Sequence, residues 1–119
     1  MIYTASFFKP EDHVDGSILL CIANSRPPGF ATVKYSALTA LRPGKLLRQY
    51  NDGELSWDEY RKAYLAQLED RREFLYRFFV GAVPGTNFTL LCWERDPENC
   101  HRKWAAEFLS TLGCEVTIR

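Results

Sequence analysis

Two cysteines, a histidine and an arginine lie close together near the end of the chain. Residues 89–112 read TLLCWERDPENCHRKWAAEFLSTL and include Cys92, Cys100, His101 and Arg102. A thiol beside an imidazole and a guanidinium loses its proton more readily than an isolated thiol, which makes it a better nucleophile. The residue types and their spacing therefore indicate thiol chemistry, with Cys100 as the candidate nucleophile and His101 as the candidate acid or base.

The surrounding elements place these residues where a strand ends and a helix begins. Residues 88–93 form a nearly continuous apolar run, which is typical of a strand buried on both faces. Asp96 and Pro97 are the residue types of a helix N-cap and first helical position, so we predict a helix over residues 97–112. Cys100 would then lie in its first turn, where the positive end of the helix dipole lowers the pKa of a thiol.

Each of these residues also has a structural interpretation that stays open. His101 falls near the centre of the predicted apolar stripe, where a core histidine satisfied by one hydrogen bond is common. Cys92, at the strand end, could resolve an oxidised Cys100 or could be a small buried residue. Together with Glu94 or Cys21 these side chains could form a metal site. No ligand pair has the spacing typical of zinc, however, so we predict no metal and no other cofactor.

Two arginines are candidates for holding an anionic ligand. Arg102 follows the Cys-His pair, and Arg26 lies in a proline-flanked loop after an earlier apolar run. If that run is a strand parallel to residues 88–93, both arginines lie at one edge of the sheet. Guanidinium groups and helix N–H groups bind phosphate or carboxylate well, so we predict a small anionic ligand there. An ion pair of Arg102 with Glu98 or Glu94 is the alternative.

The predicted site therefore has a catalytic and a ligand-binding part. The catalytic candidates are Cys100 and His101, and the ligand-binding candidates are Arg26, Arg102, Glu94, Cys92 and Tyr3. Tyr35 and Tyr60 could line the same pocket, although single tyrosines in an aromatic-rich chain are more often core residues.

The residues of this segment resemble the C-terminal signature of the family called domain of unknown function 488. In that signature a strand ends in leucines, a cysteine and a glutamate, and a short loop leads to Cys-His-Arg at a helix start. The matching positions are Leu90, Leu91, Cys92, Glu94, Cys100, His101 and Arg102. Residues 18–27 and the helix around Tyr60 and Tyr64 are further matches, although many members have an aspartate where this chain has Ser25. The resemblance implies a compact α/β fold and brings no established activity.

Length and patterning favour one α/β domain over residues 1–119, with a mainly parallel sheet of about four strands flanked by helices. The predicted strands are residues 2–8, 17–23, 88–93 and 114–118. The connection between the first two is short, which by itself favours an antiparallel pair. The family resemblance favours parallel strands, either adjacent or with another strand inserted between them, and we follow it.

Two predicted helical segments precede the candidate site. Ser56 and Glu59 have the spacing of a capping box, which predicts a helix that begins at Trp57. A short helix is also predicted over residues 35–41, before the Pro-Gly pair at residues 43–44.

Composition argues against several classes of protein. The chain has 15 basic and 15 acidic residues and no net charge, so binding to nucleic acid or an acidic membrane finds no support there. Its 46% hydrophobic content is too high for a disordered chain. No apolar run approaches the ~20 residues of a membrane span, and no signal-peptide pattern is present. The four cysteines lack a disulfide framework, so we predict free thiols in the cytoplasm.

Two functions follow from these patterns, and both stay open at this point. The first is a small cytosolic enzyme that uses Cys100 and His101 on a phosphorylated or nucleotide-like substrate held by Arg26 and Arg102. The second is a non-catalytic module that uses the same pocket to bind an anionic ligand, a nucleic-acid end or a protein partner. The pH dependence of Cys100 alkylation separates them, because only the enzyme needs a thiolate at neutral pH.

Overall fold

Five parallel strands form one sheet in the computed structural model, which describes residues 1–28 and 36–119. The strands are β1 (Ile2–Ser6), β2 (Ile18–Cys21), β3 (Ser36–Ala37), β4 (Phe88–Cys92) and β5 (Val116–Thr117). Their order across the sheet is β3-β2-β4-β1-β5, and every neighbouring pair is parallel. The predicted parallel α/β fold is confirmed, with five strands in place of about four.

β4 lies in the middle of the sheet because its sequence is apolar enough to be covered on both faces. All five of its residues are buried. It is inserted between β1 and β2, with Ser6 beside Cys92 and Cys21 beside Leu91. The connection from β1 to β2 therefore crosses only one strand, a distance of roughly 10 Å. A loop with a 3₁₀ turn at Pro10–Asp12 is long enough for this, so the short connection is compatible with parallel strands.

In the described residues, four α-helices accompany this sheet, and a π-helix at Tyr76–Val80 follows the third of them. The α-helices are α1 (Lys45–Asn51), α2 (Trp57–Asp70), α3 (Arg72–Leu75) and α4 (His101–Thr111). α4 packs against β1, β4 and β5 and against α2, which in turn contacts α1. Across the two described ranges, no helix has both the length and the apolar character needed to cross a membrane.

α2 begins as the sequence predicts. The Glu59 N–H donates to Ser56 Oγ at 3.1 Å, and the Ser56 N–H donates to Glu59 Oε1 at 2.9 Å. This reciprocal pair satisfies two of the backbone donors that every helix start leaves free.

Two other predicted helical segments are corrected by the structure. Residues 36–41 form β3 and a 3₁₀ turn at Thr39–Leu41 in place of a helix, and Tyr35 lies outside the described residues. α4 begins at His101, not at Pro97. Asp96 caps only a 3₁₀ turn at Pro97–Asn99, after which Cys100 adopts an extended conformation. Because an extended residue cannot continue a helix, the chain starts a new helix one residue later.

Candidate functional site

A cavity of about 270 Å³ lies at the edge of the sheet where the parallel strands β2 and β4 end. The loop after β2, the end of β4 and the start of α4 form one part of its wall, and α1 and α2 form the rest. Cys92, Cys100 and His101 are buried at its floor, whereas Asn51 and Glu94 at its rim are exposed. The cavity therefore opens to solvent above a floor of thiols and imidazole.

Cys100 is the N-cap of α4. Its backbone is extended, and the Arg102 N–H donates a hydrogen bond to its Sγ at 3.5 Å. In most helices this position is taken by an oxygen of serine, threonine, aspartate or asparagine. Because the positive end of the helix dipole favours negative charge, the Cys100 thiolate can itself be the anion held at this helix start.

The ring of His101 is oriented by the chain that follows β2. Its Nε2 lies 2.8 Å from the carbonyl oxygen of Ile22, which can only accept a hydrogen bond. Nε2 therefore carries a proton, and Nδ1 of the neutral ring is an acceptor. Nδ1 lies 3.8 Å from Cys100 Sγ and 3.7 Å from Cys92 Sγ. This geometry leaves Nδ1 ready to take a proton from a thiol.

The two thiols next to Nδ1 have opposite acidities. Burial alone raises the pKa of Cys100. Hydrogen bonds with Cys92 and His101, the positive charge that His101 gains when it takes the thiol proton, and the Arg102 N–H together outweigh burial and hold that pKa well below its ordinary value. The pKa of Cys92 is raised well above the ordinary value by its hydrogen bond to Cys100 and by burial. Cys100 is therefore the member of the pair that ionises first.

Glu94 places a carboxyl group beside this pair. Cys92 Sγ lies 3.5 Å from Glu94 Oε2. Burial of the carboxyl group, and then the negative charge of Cys100, raise the pKa of Glu94 above its ordinary value. A carboxyl group with a raised pKa exchanges protons more readily near neutral pH than an ordinary surface carboxylate does.

The same side chains are close enough to share one metal ion. Cys92 Sγ, Cys100 Sγ and His101 Nδ1 all lie within 4.8 Å of one another. Thiolate and imidazole are ligands that zinc prefers, and a carbonyl on the other ring nitrogen is a usual partner of a metal-binding histidine. The sequence spacing hides this arrangement because the three residues come from a strand end, an N-cap and a first helical position. Metal binding and a free Cys100 nucleophile exclude each other.

The Arg102 guanidinium is bound within the protein. It donates to the carbonyl oxygens of Glu94 at 2.6 Å, Arg95 at 3.1 Å and Arg119 at 3.1 and 3.2 Å. The side chain is fully buried and does not line the cavity. A contact between Arg102 and an anionic ligand is therefore not supported, because its donors hold the loop after β4 to residue 119.

Arg26 and Tyr3 also lie outside the cavity wall. The loop after β2 emerges at the predicted edge, but Ser25 lines the cavity while the neighbouring Arg26 is exposed and does not. Tyr3 is paired with Thr89, three residues before Cys92, so strand alternation directs Tyr3 to the opposite face of the sheet from Cys92. Among the described residues no arginine or lysine lines the cavity, and the predicted anion clamp is not formed there.

Comparison with known proteins relates the chain to a family over most of its length. A family model, DUF488-N3a, described as the active DUF488-N3 subclade, matches residues 2–113. The chain belongs to the DUF488-N3 family. No curated protein and no solved structure gives a significant match. The resemblance predicted from the Cys-His-Arg segment is thereby confirmed.

Aromatic side chains form part of the wall of this DUF488-N3 site, and the sequence patterns predict few of them. Tyr50 of α1, Trp57 and Tyr60 of α2 and Trp93 after β4 line the cavity. Only Tyr60 is among the predicted pocket residues. The signal that could have revealed more is the spacing of Trp57 and Tyr60, since residues three apart at a helix start lie on one face.

Proposed function

We propose that the cavity is the active site of a thiol-dependent enzyme, with Cys100 as nucleophile and His101 as general acid and base. One observation carries the proposal: His101 Nδ1 lies 3.8 Å from Cys100 Sγ while its Nε2 is held by the Ile22 carbonyl. A nucleophile beside a base that is itself oriented by a third group is the arrangement used in covalent catalysis.

In the proposed reaction, His101 Nδ1 first accepts the proton of Cys100. The thiolate attacks an electrophilic carbon of the substrate, an S–C bond forms, and the bond from that carbon to the leaving group breaks. The imidazolium gives its proton to the leaving group. Water or another acceptor then loses a proton to Nδ1 as it displaces the sulfur, which restores the thiolate–imidazolium pair.

Cys92 and Glu94 support this nucleophile. The Cys92 thiol has one proton, which it donates either to Cys100, lowering the pKa of Cys100, or to Glu94 Oε2. Of the substrate classes predicted from the sequence, a nucleotide-like compound is supported by the aromatic wall. A phosphate group at the cavity floor is not supported, because the described lining residues include neither arginine nor lysine.

The proposal is tested by the alkylation rate of Cys100 as a function of pH. With iodoacetamide and mass spectrometry to assign the modified residue, we expect Cys100 to react fast at neutral pH and to titrate below the ordinary thiol value of ~8.5. Cys114 is the internal control, because partial burial raises its pKa and it lies outside the cavity. Cys92→Ser should shift the Cys100 titration upward.

Two results would redirect the proposal. A Cys100 thiol that titrates at ~8.5 or above would exclude the nucleophile and favour the non-catalytic binding module. One equivalent of zinc in the purified protein, lost in both Cys92→Ser and Cys100→Ser, would replace the free thiolate with a metal site.

A further inference from the structure

We infer that the Tyr60 hydroxyl is a ligand-binding group, and that the cavity takes a flat, uncharged ring that carries a carbonyl oxygen. The inference rests on the proposed function, since it names the class of compound that the Cys100 site receives. Its starting point is the Tyr60 hydroxyl, which has no hydrogen-bond partner among the described residues.

Tyr60 is 1% exposed, and its hydroxyl is buried without a hydrogen-bond partner in residues 1–28 and 36–119. Such atoms are rare, because burying an unpaired hydroxyl costs free energy that a paired one recovers. Tyr60 also lines the cavity. The missing partner is therefore expected to come from a molecule that enters the cavity.

The orientation of this hydroxyl is set by the rings around it. Tyr60 stacks on Tyr50 with ring centroids 5.3 Å apart and meets Trp57 and Trp104 edge-on at 5.8 and 5.2 Å. These three contacts restrict the Tyr60 side chain to its present position. The hydroxyl is thus positioned before the ligand binds, which reduces the entropy that binding has to overcome.

Tyr60 can act here as a hydrogen-bond donor. Burial, followed by repulsion from the negative charge of Cys100, raises the pKa of Tyr60, so the phenol keeps its proton. The group that pairs with it must accept a hydrogen bond, as a carbonyl oxygen does. The negative charge of Cys100 also disfavours an anionic group at this position, which separates a carbonyl from a phosphate or carboxylate.

The walls of the cavity select for a small flat ring. Aromatic side chains dominate one part of the wall, and ring-on-ring packing is their favoured contact. Asn51 and Asn99 at the rim make no hydrogen bond with their side-chain amides across the described ranges, so both can pair with polar edges of a ligand. At about 270 Å³ the cavity lies just below the usual range for ligand pockets of ~300–1,000 Å³.

The first test compares two tyrosines on the same face of α2. Tyr64 lies one turn after Tyr60 and donates to the Leu41 carbonyl at 2.7 Å. Tyr64→Phe removes a paired hydroxyl and should lower the Tm by roughly 4 °C or more. Tyr60→Phe removes an unpaired hydroxyl and should leave the Tm unchanged or raise it. A decrease for Tyr60→Phe equal to that for Tyr64→Phe would overturn the inference.

The second test measures binding of uracil, hypoxanthine and nicotinamide, with inorganic phosphate as the anionic comparison. The readout is the fluorescence of the three tryptophans in the full chain, two of which line the cavity. We expect at least one ring compound to bind, with affinity reduced ~10-fold or more in Tyr60→Phe and unchanged in Tyr64→Phe. Absence of binding by all three, tighter binding of phosphate, or equal affinity in Tyr60→Phe would each overturn it.

These results are independent of the nucleophile. A Cys100→Ser chain that still binds a ring compound through Tyr60 would support the ligand class even if Cys100 alkylation had excluded the enzyme. A reactive Cys100 in a chain whose ring binding does not depend on Tyr60 would keep the enzyme and reject the ligand class.

Discussion

The starts of α2 and α4 solve the same problem with different chemistry. α2 is capped at the surface by the reciprocal hydrogen bonds of Ser56 and Glu59, and its first turn carries acidic residues. α4 is capped in the interior by the thiol of Cys100, which is 2% exposed, and its first turn carries no acidic residue. A solvated cap only stabilises its helix. A buried cap with an ionisable sulfur also acquires a lowered pKa, because the helix N–H groups and His101 stabilise its charge.

The comparison shows that an N-cap contributes to stability alone or also to reactivity, depending on the groups around it. The α2 cap depends on residues that are close in sequence, and it works wherever the helix is placed. The α4 cap depends on Ile22, which orients the His101 ring from 79 positions away, and on Cys92 at the end of a strand. The four predictions that follow test where this contrast holds, from the largest expected effect to the smallest.

Arg102→Met should cause the largest loss of stability. The variant removes the buried guanidinium that donates partly buried hydrogen bonds to the carbonyl oxygens of Glu94, Arg95 and Arg119, which costs roughly 3 kcal/mol or more of the free energy of unfolding. Denaturant titration measures it. The matched control is Lys103→Met, the next residue, whose ion pair with Glu98 is partly exposed and should contribute about 1 kcal/mol or less. Similar losses of stability in the two variants would show that the start of α4 does not depend on the hydrogen bonds of Arg102.

The stability of the chain should depend on pH through Cys100. Its pKa is lower in the folded than in the unfolded state, so folding is favoured by ionisation of this thiol. Ionisation of Cys100 contributes fully to the free energy of unfolding above the ordinary thiol pKa of ~8.5. This contribution is lost as pH falls through the lowered pKa of Cys100, and the free energy of unfolding changes by at most ~1.4 kcal/mol per pH unit. Cys92 does not oppose this change below pH ~8.5, because with its raised pKa it is protonated there in both the folded and the unfolded state.

The measurement is the free energy of unfolding as a function of pH, compared with Cys100→Ser. The free energy of unfolding of the wild type minus that of Cys100→Ser should rise with pH below pH ~8.5. The difference between the wild type and Ser56→Ala should stay constant with pH. A flat difference would mean that folding releases no proton, either because Cys100 stays protonated or because its proton stays on His101.

Ser56→Ala should lower the free energy of unfolding by about 1 kcal/mol, the usual value of an N-cap. The alkylation rate of Cys100 should not change, because the α2 cap is not part of the cavity wall. Ser56→Asp is the control that keeps a capping oxygen and should restore most of the stability. If Ser56→Ala slowed Cys100 alkylation, the two helix starts would be coupled through Trp57 and Tyr60.

Apart from the lost contribution of thiol ionisation, Cys100→Ser should change the free energy of unfolding at neutral pH less than Arg102→Met or Ser56→Ala does. Serine is a preferred N-cap and can accept the hydrogen bond of the Arg102 N–H. It converts the α4 cap into the type found at α2. Circular dichroism should show unchanged helix content while the fast alkylation is lost. A large loss of helix content would mean that the sulfur is needed for packing rather than for reactivity.

Local patterns were sufficient for most of the elements. The apolar run of β4 and the Ser-Glu spacing of α2 involve residues within a few positions of each other, so their structures follow from the sequence. The start of α4 was predicted four residues too early, because Asp96 and Pro97 form a good helix start that ends after one 3₁₀ turn. Whether such a turn continues depends on packing, since Cys100 has to turn its sulfur toward Cys92.

The roles of the two most informative polar side chains could not be predicted. Arg102 has the residue type of an anion-binding group, but its partners are carbonyls supplied by the loop after β4 and by residue 119. Tyr60 is distinguished from Tyr64 only by the absence of a described partner for its hydroxyl. Both facts depend on which atoms the fold brings within hydrogen-bond distance, and residue type and spacing carry no information about that.

The sequence by itself determined an α/β fold, the capped helix α2 and the presence of reactive residue types near the end of β4, because these depend on periodicity and short-range spacing. The parallel orientation of the strands was implied by the family resemblance, whereas the short connection between β1 and β2 by itself favoured an antiparallel pair. Only the tertiary structure decided that Cys92, Cys100 and His101 meet at the floor of a cavity, that Arg102 is bound by the protein's own carbonyls, and that the Tyr60 hydroxyl has no hydrogen-bond partner among the described residues. The physical reason is that hydrogen bonding and burial are set by contacts between residues far apart in the chain. Each side chain acquires its acidity and its partners only when β2, β4, α2 and α4 are packed together.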